Sequence, residues 1–389
     1  MKIKASERMG SSDGHFLASQ QEAIKKLTTA GHNVINLGRG NPDLPTFPSI
    51  LKAFEKAALN PINHGYPPYG GKDSLKKAII SFYQQEYGAS LTMDEITIFS
   101  GSLSALTAIP MALVNPGEAV LTPNPSFFGY QTGIHMAGGK SISMDLKEEN
   151  NYLPNLDDFT SENLEQAKLM FLNYPHNPTG AGASSDFFED VVRFAKENNI
   201  IVAHDFAYAD INFNQKSPSF MQAKGSKDVG IEIYNLSKTF NMAGWRIAFA
   251  VGNKQVIHLL NQYIRSSVGG TFGAIQDAVA FGLENSKEER NQLRQTYAAR
   301  RKLVLDKLTS ANLDVLPSAG TFFLWVKLPN GLDDVTFAND LLQKEKVALV
   351  PGSTFGSSGQ GYLRISLVSN INDLNEGINR LINYLIQTN

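Results

Sequence analysis

Lys238 carries the most chemistry in prospect. It follows the apolar run Ile231–Leu236 (IEIYNL), within Asn235-Leu236-Ser237-Lys238-Thr239-Phe240-Asn241-Met242-Ala243-Gly244-Trp245-Arg246. An amine at the end of a buried strand is partly stripped of water. That lowers its pKa, and a neutral amine is what Schiff-base chemistry on a carbonyl requires. Arg246 lies eight residues on, next to a Gly and before the apolar run Ile247–Val251. It can turn back onto the same ligand, where a guanidinium suits a phosphate dianion. Asp205 ends the apolar run Ile200–Ala203 within His204-Asp205-Phe206-Ala207-Tyr208. An Asp there often caps the next helix. It can also be a buried carboxylate facing a ligand cation, with Tyr208 three residues on along the same side. The loop Asn173-Tyr174-Pro175-His176-Asn177-Pro178-Thr179-Gly180 is by composition a turn, and its prolines would also fix Asn177 as a donor into a site. Ser100-Gly101-Ser102-Leu103 opens directly into a helix, so its backbone N–H groups form a seat for an anion, although many strand–helix turns carry Gly for steric reasons alone. A lone Lys is usually a solvated surface residue. That reading weakens when Lys, Arg, Asp and Asn all fall on strand-terminal loops of one sheet.

The elements that must position these residues are legible as an alternation. Ile96–Phe99, Ala119–Leu121, Lys168–Leu172, Ile200–Ala203, Ile231–Leu236 and Ile247–Val251 read as strands. Lys52–Leu59, Asp73–Tyr87, Leu103–Leu113, Ser185–Asn198 and Asp277–Leu283 read as the helices between them. Buried strands alternating with helices predict an α/β fold, a mostly parallel sheet covered on both faces. Ligands of such sheets bind beyond the strands' carboxyl ends. From about residue 285 the texture changes to a long polar helix, Glu288–Thr309, short strands at Phe322–Leu328 and Tyr362–Leu367, and an amphipathic helix, Ile371–Ile386, which predicts a second, α+β lobe.

Composition excludes several classes. The 389 residues are 42% apolar and 19% charged, with 35 Lys and Arg against 37 Asp and Glu, which gives no bulk electrostatic reason to bind nucleic acid or an anionic membrane. There is no cysteine, so disulfides, thiolate catalysis and thiolate metal sites are ruled out. The seven His are scattered, against a metal hydrolase. No apolar run approaches the roughly 20 residues that span a bilayer, and the N-terminus has no signal-peptide core. A soluble, cytoplasmic protein without metal, nucleic-acid or membrane partners is expected.

The segment Ser237–Arg246 closely resembles the cofactor-lysine segment of class I/II aminotransferases, the fold-type-I pyridoxal-phosphate enzymes. Asn177-Pro178-Thr179-Gly180 matches that family's NPTG signature. Gly40-Asn41-Pro42-Asp43, Tyr66, Asp205/Tyr208, Gly320-Thr321-Phe322, and Pro351-Gly352 through Phe355-Gly356 to Arg364-Ile365-Ser366 follow the family's order. The resemblance runs from about residue 33 to the end. It implies a seven-stranded sheet in a large domain (48–284) and a small α+β domain built from both termini (1–47 and 285–389).

The resemblance also implies roles. Lys238 would form the internal aldimine with pyridoxal 5'-phosphate and shuttle the substrate proton. Asp205 would pair with the pyridinium nitrogen, Asn177 and Tyr208 would bond the phenolic oxygen, and Phe127 would stack on the ring. Gly101, Ser102, Leu103, Ser237 and Arg246 would hold the phosphate, with Tyr66 reaching the neighbouring subunit's phosphate in a homodimer with shared sites. Asn235 stands where many relatives place a phosphate-binding Ser. Arg364 would clamp the substrate carboxylate, with Asn177 and Gly40 beside it; Arg265 is a candidate for a distal carboxylate. The implied activity is a ping-pong transfer from an L-amino acid to a 2-oxo acid through pyridoxamine phosphate, nearest to methionine-salvage-type transaminases acting on apolar, sulfur-containing or aromatic substrates. A C–S β-lyase on the same fold is the alternative, disfavoured because Tyr208 replaces the His usual there. A non-catalytic pyridoxal-phosphate regulator is a weaker one, because only about 35 residues, not basic ones, precede the first motif.

Overall fold

The computed structural model describes residues 3–9, 15–329 and 331–388. A seven-stranded sheet takes strands in the spatial order Ile96–Phe99, Ala248–Gly252, Gly230–Asn235, Ile201–Phe206, Ala167–Leu172, Ala119–Asn124 and Lys140–Asp145. Six run parallel. Ala248–Gly252 alone is antiparallel to its neighbours, with Ala248 opposite both Phe99 and Asn235. That reversal brings the start of this strand, and Arg246 just before it, to the edge where the other six end.

Side-chain alternation sorts the sheet into two apolar layers. Val202 and Phe206 pack among residues of the helices Asp73–Tyr87, Ser185–Asn198 and Gly273–Asn285. Ala203 packs on the other face with residues of Ser102–Leu113, Gly129–Ala137 and Lys254–Ser266. A parallel sheet covered on both faces by apolar residues leaves only its ends for polar chemistry.

The later chain builds an antiparallel four-stranded sheet, ordered Val350–Pro351, Tyr362–Ser366, Phe323–Lys327 and Val315–Leu316. The early strand Ile35–Asn36 pairs in parallel with Val347–Ala348. The helices Lys287–Ser310 and Ile371–Thr388 accompany these strands.

The helices Asp73–Tyr87 and Ser185–Asn198 have the bounds read from sequence, and the six expected strands are present with ends shifted by a few residues. The seventh strand that the resemblance implies is Lys140–Asp145, which no pattern in the sequence located. It is an edge strand of sequence KSISMD in which only Met144 is buried, so it carries no apolar run. The helices His15–Thr29, Gly129–Ala137, Lys254–Ser266 and Asp334–Glu345 were also missed. Among the described residues, no helix is long and apolar enough to cross a membrane.

Candidate active site

A cavity of about 560 Å³ opens at the carboxyl edge of the large sheet. Its lining includes Gly40, Ser102, Leu103, Phe127, Asn177, Asp205, Tyr208, Asn235, Ser237, Lys238, Arg246 and Arg364. The structure therefore brings together most of the residues singled out from sequence.

Asp205, the penultimate residue of its strand, is buried. Its Oδ2 accepts a 2.9 Å hydrogen bond from the Tyr130 hydroxyl, and its Oδ1 has no partner. Burial pushes the carboxyl up to about 6, against the opposing effect of the Tyr130 bond. Lys238 lies in the one-turn helix Leu236–Thr239 directly after the adjacent strand. Its Nζ donates to the Gly40 carbonyl at 2.6 Å. Burial, seconded by the Arg364 charge, lowers the amine to about 8.

Arg364, on the strand Tyr362–Ser366, is buried between the rings of Phe323 and Phe355, 3.9 and 4.6 Å from the guanidinium carbon. It donates to Asn177 Oδ1 at 2.9 Å and to the Gly38 carbonyl at 3.1 Å, and its Nε is unpartnered. No carboxylate neutralises it among the described residues. Burial lowers it to about 10, so it stays charged at neutral pH.

Arg246 adopts a left-handed backbone (φ 53°) and donates to the Ala243 carbonyl at 3.0 Å. Gly101 precedes the twelve-residue helix Ser102–Leu113 and has φ 89°. A Cβ there would lie 2.4 Å from Arg246 Nη2, so the glycine is what lets the guanidinium reach the helix N-terminus. On the phosphate role that the resemblance implies, Gly101→Ala is expected to weaken cofactor binding by about tenfold or more, through strain of roughly 1–3 kcal/mol in a backbone region (φ 89°, ψ 160°) essentially confined to glycine, and displacement of Arg246. Equilibrium titration of apo-protein with pyridoxal phosphate measures it.

Asn235, which lines the cavity, ties the lysine turn to the neighbouring helix start. Its Oδ1 accepts from the Ser237 N–H and its Nδ2 donates to Ser102 Oγ, both at 2.8 Å. With its oxygen already accepting, the Ser102 hydroxyl hydrogen is free to donate into the cavity. Phe127 lies against the backbone of Gly129, where a Cβ would sit 2.5 Å from the ring. Burial raises the Tyr208 hydroxyl well above its ordinary value. Two residues lie apart. Tyr66 is fully exposed (106%) and away from the cavity of its own chain. Arg265 is exposed in the last turn of Lys254–Ser266, also outside the cavity.

Sequence reading missed Tyr130 and Asn173. Asn173 accepts from the Asn177 N–H (2.9 Å) and donates to the Asp205 carbonyl (2.7 Å). It also missed Leu17, Gln20, Gln21 and Ile24, which line the cavity from one face of the helix His15–Thr29 at i, i+3, i+4 and i+7 spacing.

The family model "Aminotransferase class I and II" matches residues 32–381. The chain belongs to the class I and II aminotransferases. Transaminase BacF of Bacillus subtilis is 42% identical, over 92% of this chain and 91% of the relative. The L-glutamine–4-(methylsulfanyl)-2-oxobutanoate aminotransferase of the same organism is 41% identical, over 98% and 96%. The LL-diaminopimelate aminotransferase of Aquifex aeolicus is 40% identical, over 94% of each. The substrate-bound structure of BacF superposes with a TM-score of 0.94 at 40% identity, covering 99% of this chain and 98% of that one. This aminotransferase, like its family, depends on pyridoxal 5'-phosphate. The residues present fit that cofactor. Among the described residues Asp205 Oδ1 is a buried acceptor without a donor and Arg246 makes no ion pair, while the Lys238 amine is lowered to about 8 and Arg246 stands at a helix N-terminus that only glycine leaves open.

Proposed function

We propose that this aminotransferase transfers the amino group of an L-amino acid with an apolar, sulfur-containing or aromatic side chain to a 2-oxo acid, donor and acceptor occupying one cavity in turn. The observation that carries this reading is Arg364: a buried guanidinium that meets no carboxylate among the described residues, held by Asn177 and Gly38 and facing a cavity lined also by Leu17, Ile24, Phe128 and Phe355. A charged head group and an apolar tail would both find partners there. The relative named for 4-(methylsulfanyl)-2-oxobutanoate supports a sulfur-containing substrate. Gln21 and Arg39 on the same lining favour, as a second reading, a polar-ended substrate of the kind named for the LL-diaminopimelate relatives.

Bound pyridoxal phosphate supplies an aldehyde for amine exchange and a ring that withdraws electrons from the substrate Cα. The protein does the rest. Arg364 fixes the α-carboxylate by paired N–H donors. Lys238 takes the proton from Cα and returns it on the other side of the exchange. Asp205 would hold the ring nitrogen with its carboxylate. The Asn177 amide and the Tyr208 hydroxyl donate to the ring oxygen, and Phe127 covers the ring face. The N–H groups of Gly101, Ser102 and Leu103, with Ser237 and Arg246, hold the phosphate. Tyr66 serves the neighbouring site of a homodimer; it lies in a stretch with exposed Ile62 and Tyr69, an apolar surface suited to a second copy.

The test is a panel of amino acids and 2-oxo acids with the holoenzyme, following the visible band with donor alone and then acceptor. Loss of the band with methionine or phenylalanine and its return with a 2-oxo acid is expected. Release of pyruvate and ammonia instead would replace this reading with the lyase. In the same assay Arg364→Ala is expected to raise KM about 10- to 100-fold across all amino acids, the worth of losing charge-assisted hydrogen bonds. An unchanged KM would reassign that arginine.

A further inference from the structure

Behind Asp205, on the opposite face of its strand, lies a titratable pair that the reaction above does not use. His204 and Glu232 are both wholly buried, 0% exposed. Glu232 accepts four hydrogen bonds: from the Tyr83 hydroxyl at 2.8 Å, the Ser219 hydroxyl at 2.6 Å, the Phe220 N–H at 2.7 Å and His204 Nδ1 at 2.9 Å. A carboxylate is an acceptor only, so Nδ1 carries a proton. That leaves Nε2 for the peptide of Tyr174, whose N–H and carbonyl lie 3.2 and 3.1 Å away. The neutral ring accepts from the N–H; the charged ring donates to the carbonyl. Either way the ring grips the same residue.

Tyr174 stands just beyond the strand Ala167–Leu172, whose pairing with Ile201–Phe206 ends at Leu172 opposite His204. Past that point side chains take over from the backbone ladder. The imidazole holds Tyr174, and Asn173 holds the Asp205 carbonyl and the Asn177 N–H. Asn177 in turn holds Arg364. We infer that His204 is a positioning residue for amino acid binding: anchored by Glu232, it fixes the Tyr174 peptide and through it the Asn177–Arg364 pair.

This inference rests on the reading of Arg364 as the carboxylate clamp. Two substitutions separate positioning from mere packing. The amide of His204→Gln reaches the place of Nε2 and offers both donor and acceptor to Tyr174. The amide of His204→Asn reaches only the place of Nδ1 and serves Glu232 alone. Both disturb the buried network, so both lower the melting temperature. The Asn variant is expected to raise KM for methionine or phenylalanine by about tenfold or more, since small misplacements of a binding group cost up to about a hundredfold. The Gln variant is expected to stay within about threefold of the parent. Pyridoxal phosphate affinity, carried mainly by the phosphate contacts of Gly101 to Leu103 and Arg246, should move by less than the amino acid KM does, even though Asn177 also serves the ring oxygen. If the Asn variant does not fold, the double variant His204→Leu with Glu232→Gln, which leaves no unpaired buried charge, must show the same rise. Equal KM in the two single variants, or losses that follow melting temperature alone, would overturn the assignment. Arg364→Ala run alongside distinguishes the failures. An unchanged KM there removes the clamp and this inference with it; a raised KM there with equal His204 variants removes only the positioning role.

Discussion

Lys238→Ala is expected to lose turnover by roughly four orders of magnitude or more, because under the proposed mechanism one side chain is both the amine that meets the cofactor aldehyde and the base at the substrate Cα. The fold survives. Among the described residues the amine is bonded only to the Gly40 carbonyl, and burial already disfavours its charge, so its loss frees one carbonyl and removes no ion pair from the core. Far-ultraviolet circular dichroism unchanged from the parent, with single-turnover amine exchange at the background rate, is the expected pair of results. Retained turnover would end the mechanism. The lowered pKa adds a pH dependence. Only the neutral amine attacks an aldehyde, so capture of pyridoxal phosphate by apo-protein should rise about tenfold per pH unit up to about 8 and level off above it. An amine at its ordinary value would give a rate still climbing at pH 9. Rapid-mixing absorbance from pH 6 to 9.5 decides between them.

How the site became legible differs residue by residue. Lys238, Arg246 and Asp205 stood out because a charged side chain at the end of an apolar strand is costly unless it meets a partner, and that cost is visible in one dimension. Asp205 and Lys238 converge because their strands pair in parallel, but Arg246 joins them only through the reversed strand Ala248–Gly252, which no local pattern signals. The edge strand Lys140–Asp145 escaped because a strand with one buried residue lacks an apolar run. The helix His15–Thr29 escaped because its inward face carries Gln20 and Gln21 beside Leu17 and Ile24, blurring the apolar stripe while it lines the cavity. Tyr130, Asn173 and His204 were invisible for a related reason. Each acts by holding a neighbour brought close by sheet pairing or, for Tyr130, by a helix packed on the sheet, and sequence separations of about 30 to 75 residues hide such bonds.

Asp205→Asn separates stability from catalysis. The Asp205 carboxyl is raised from 3.8 to about 6 by burial. Between those values the folded protein binds a proton that the unfolded chain has released. Stability of the apo-protein therefore falls as pH rises from about 4 to 6, by up to about 3 kcal/mol, and the penalty is complete above that window. An Asn of the same shape cannot ionise. The stability difference between Asp205→Asn and the parent should thus grow in favour of the variant across pH 4 to 6, then level off. The unpaired amide will cost the variant part of the gain, roughly 1–3 kcal/mol at every pH, so the slope is the diagnostic quantity. Turnover should move the other way, falling roughly 100- to 1,000-fold, because a neutral amide no longer stabilises positive charge on the ring nitrogen. Urea unfolding of both apo-proteins from pH 4 to 8, with kcat of both holoenzymes, tests the pair of effects. A flat stability difference would mean that the carboxyl is not desolvated, and undiminished kcat would mean that its charge does not serve the reaction. On the proposed mechanism the unpartnered Oδ1 is the reason the two effects oppose each other: the acceptor that costs the apo-protein stability would be the one that meets the cofactor's ring nitrogen.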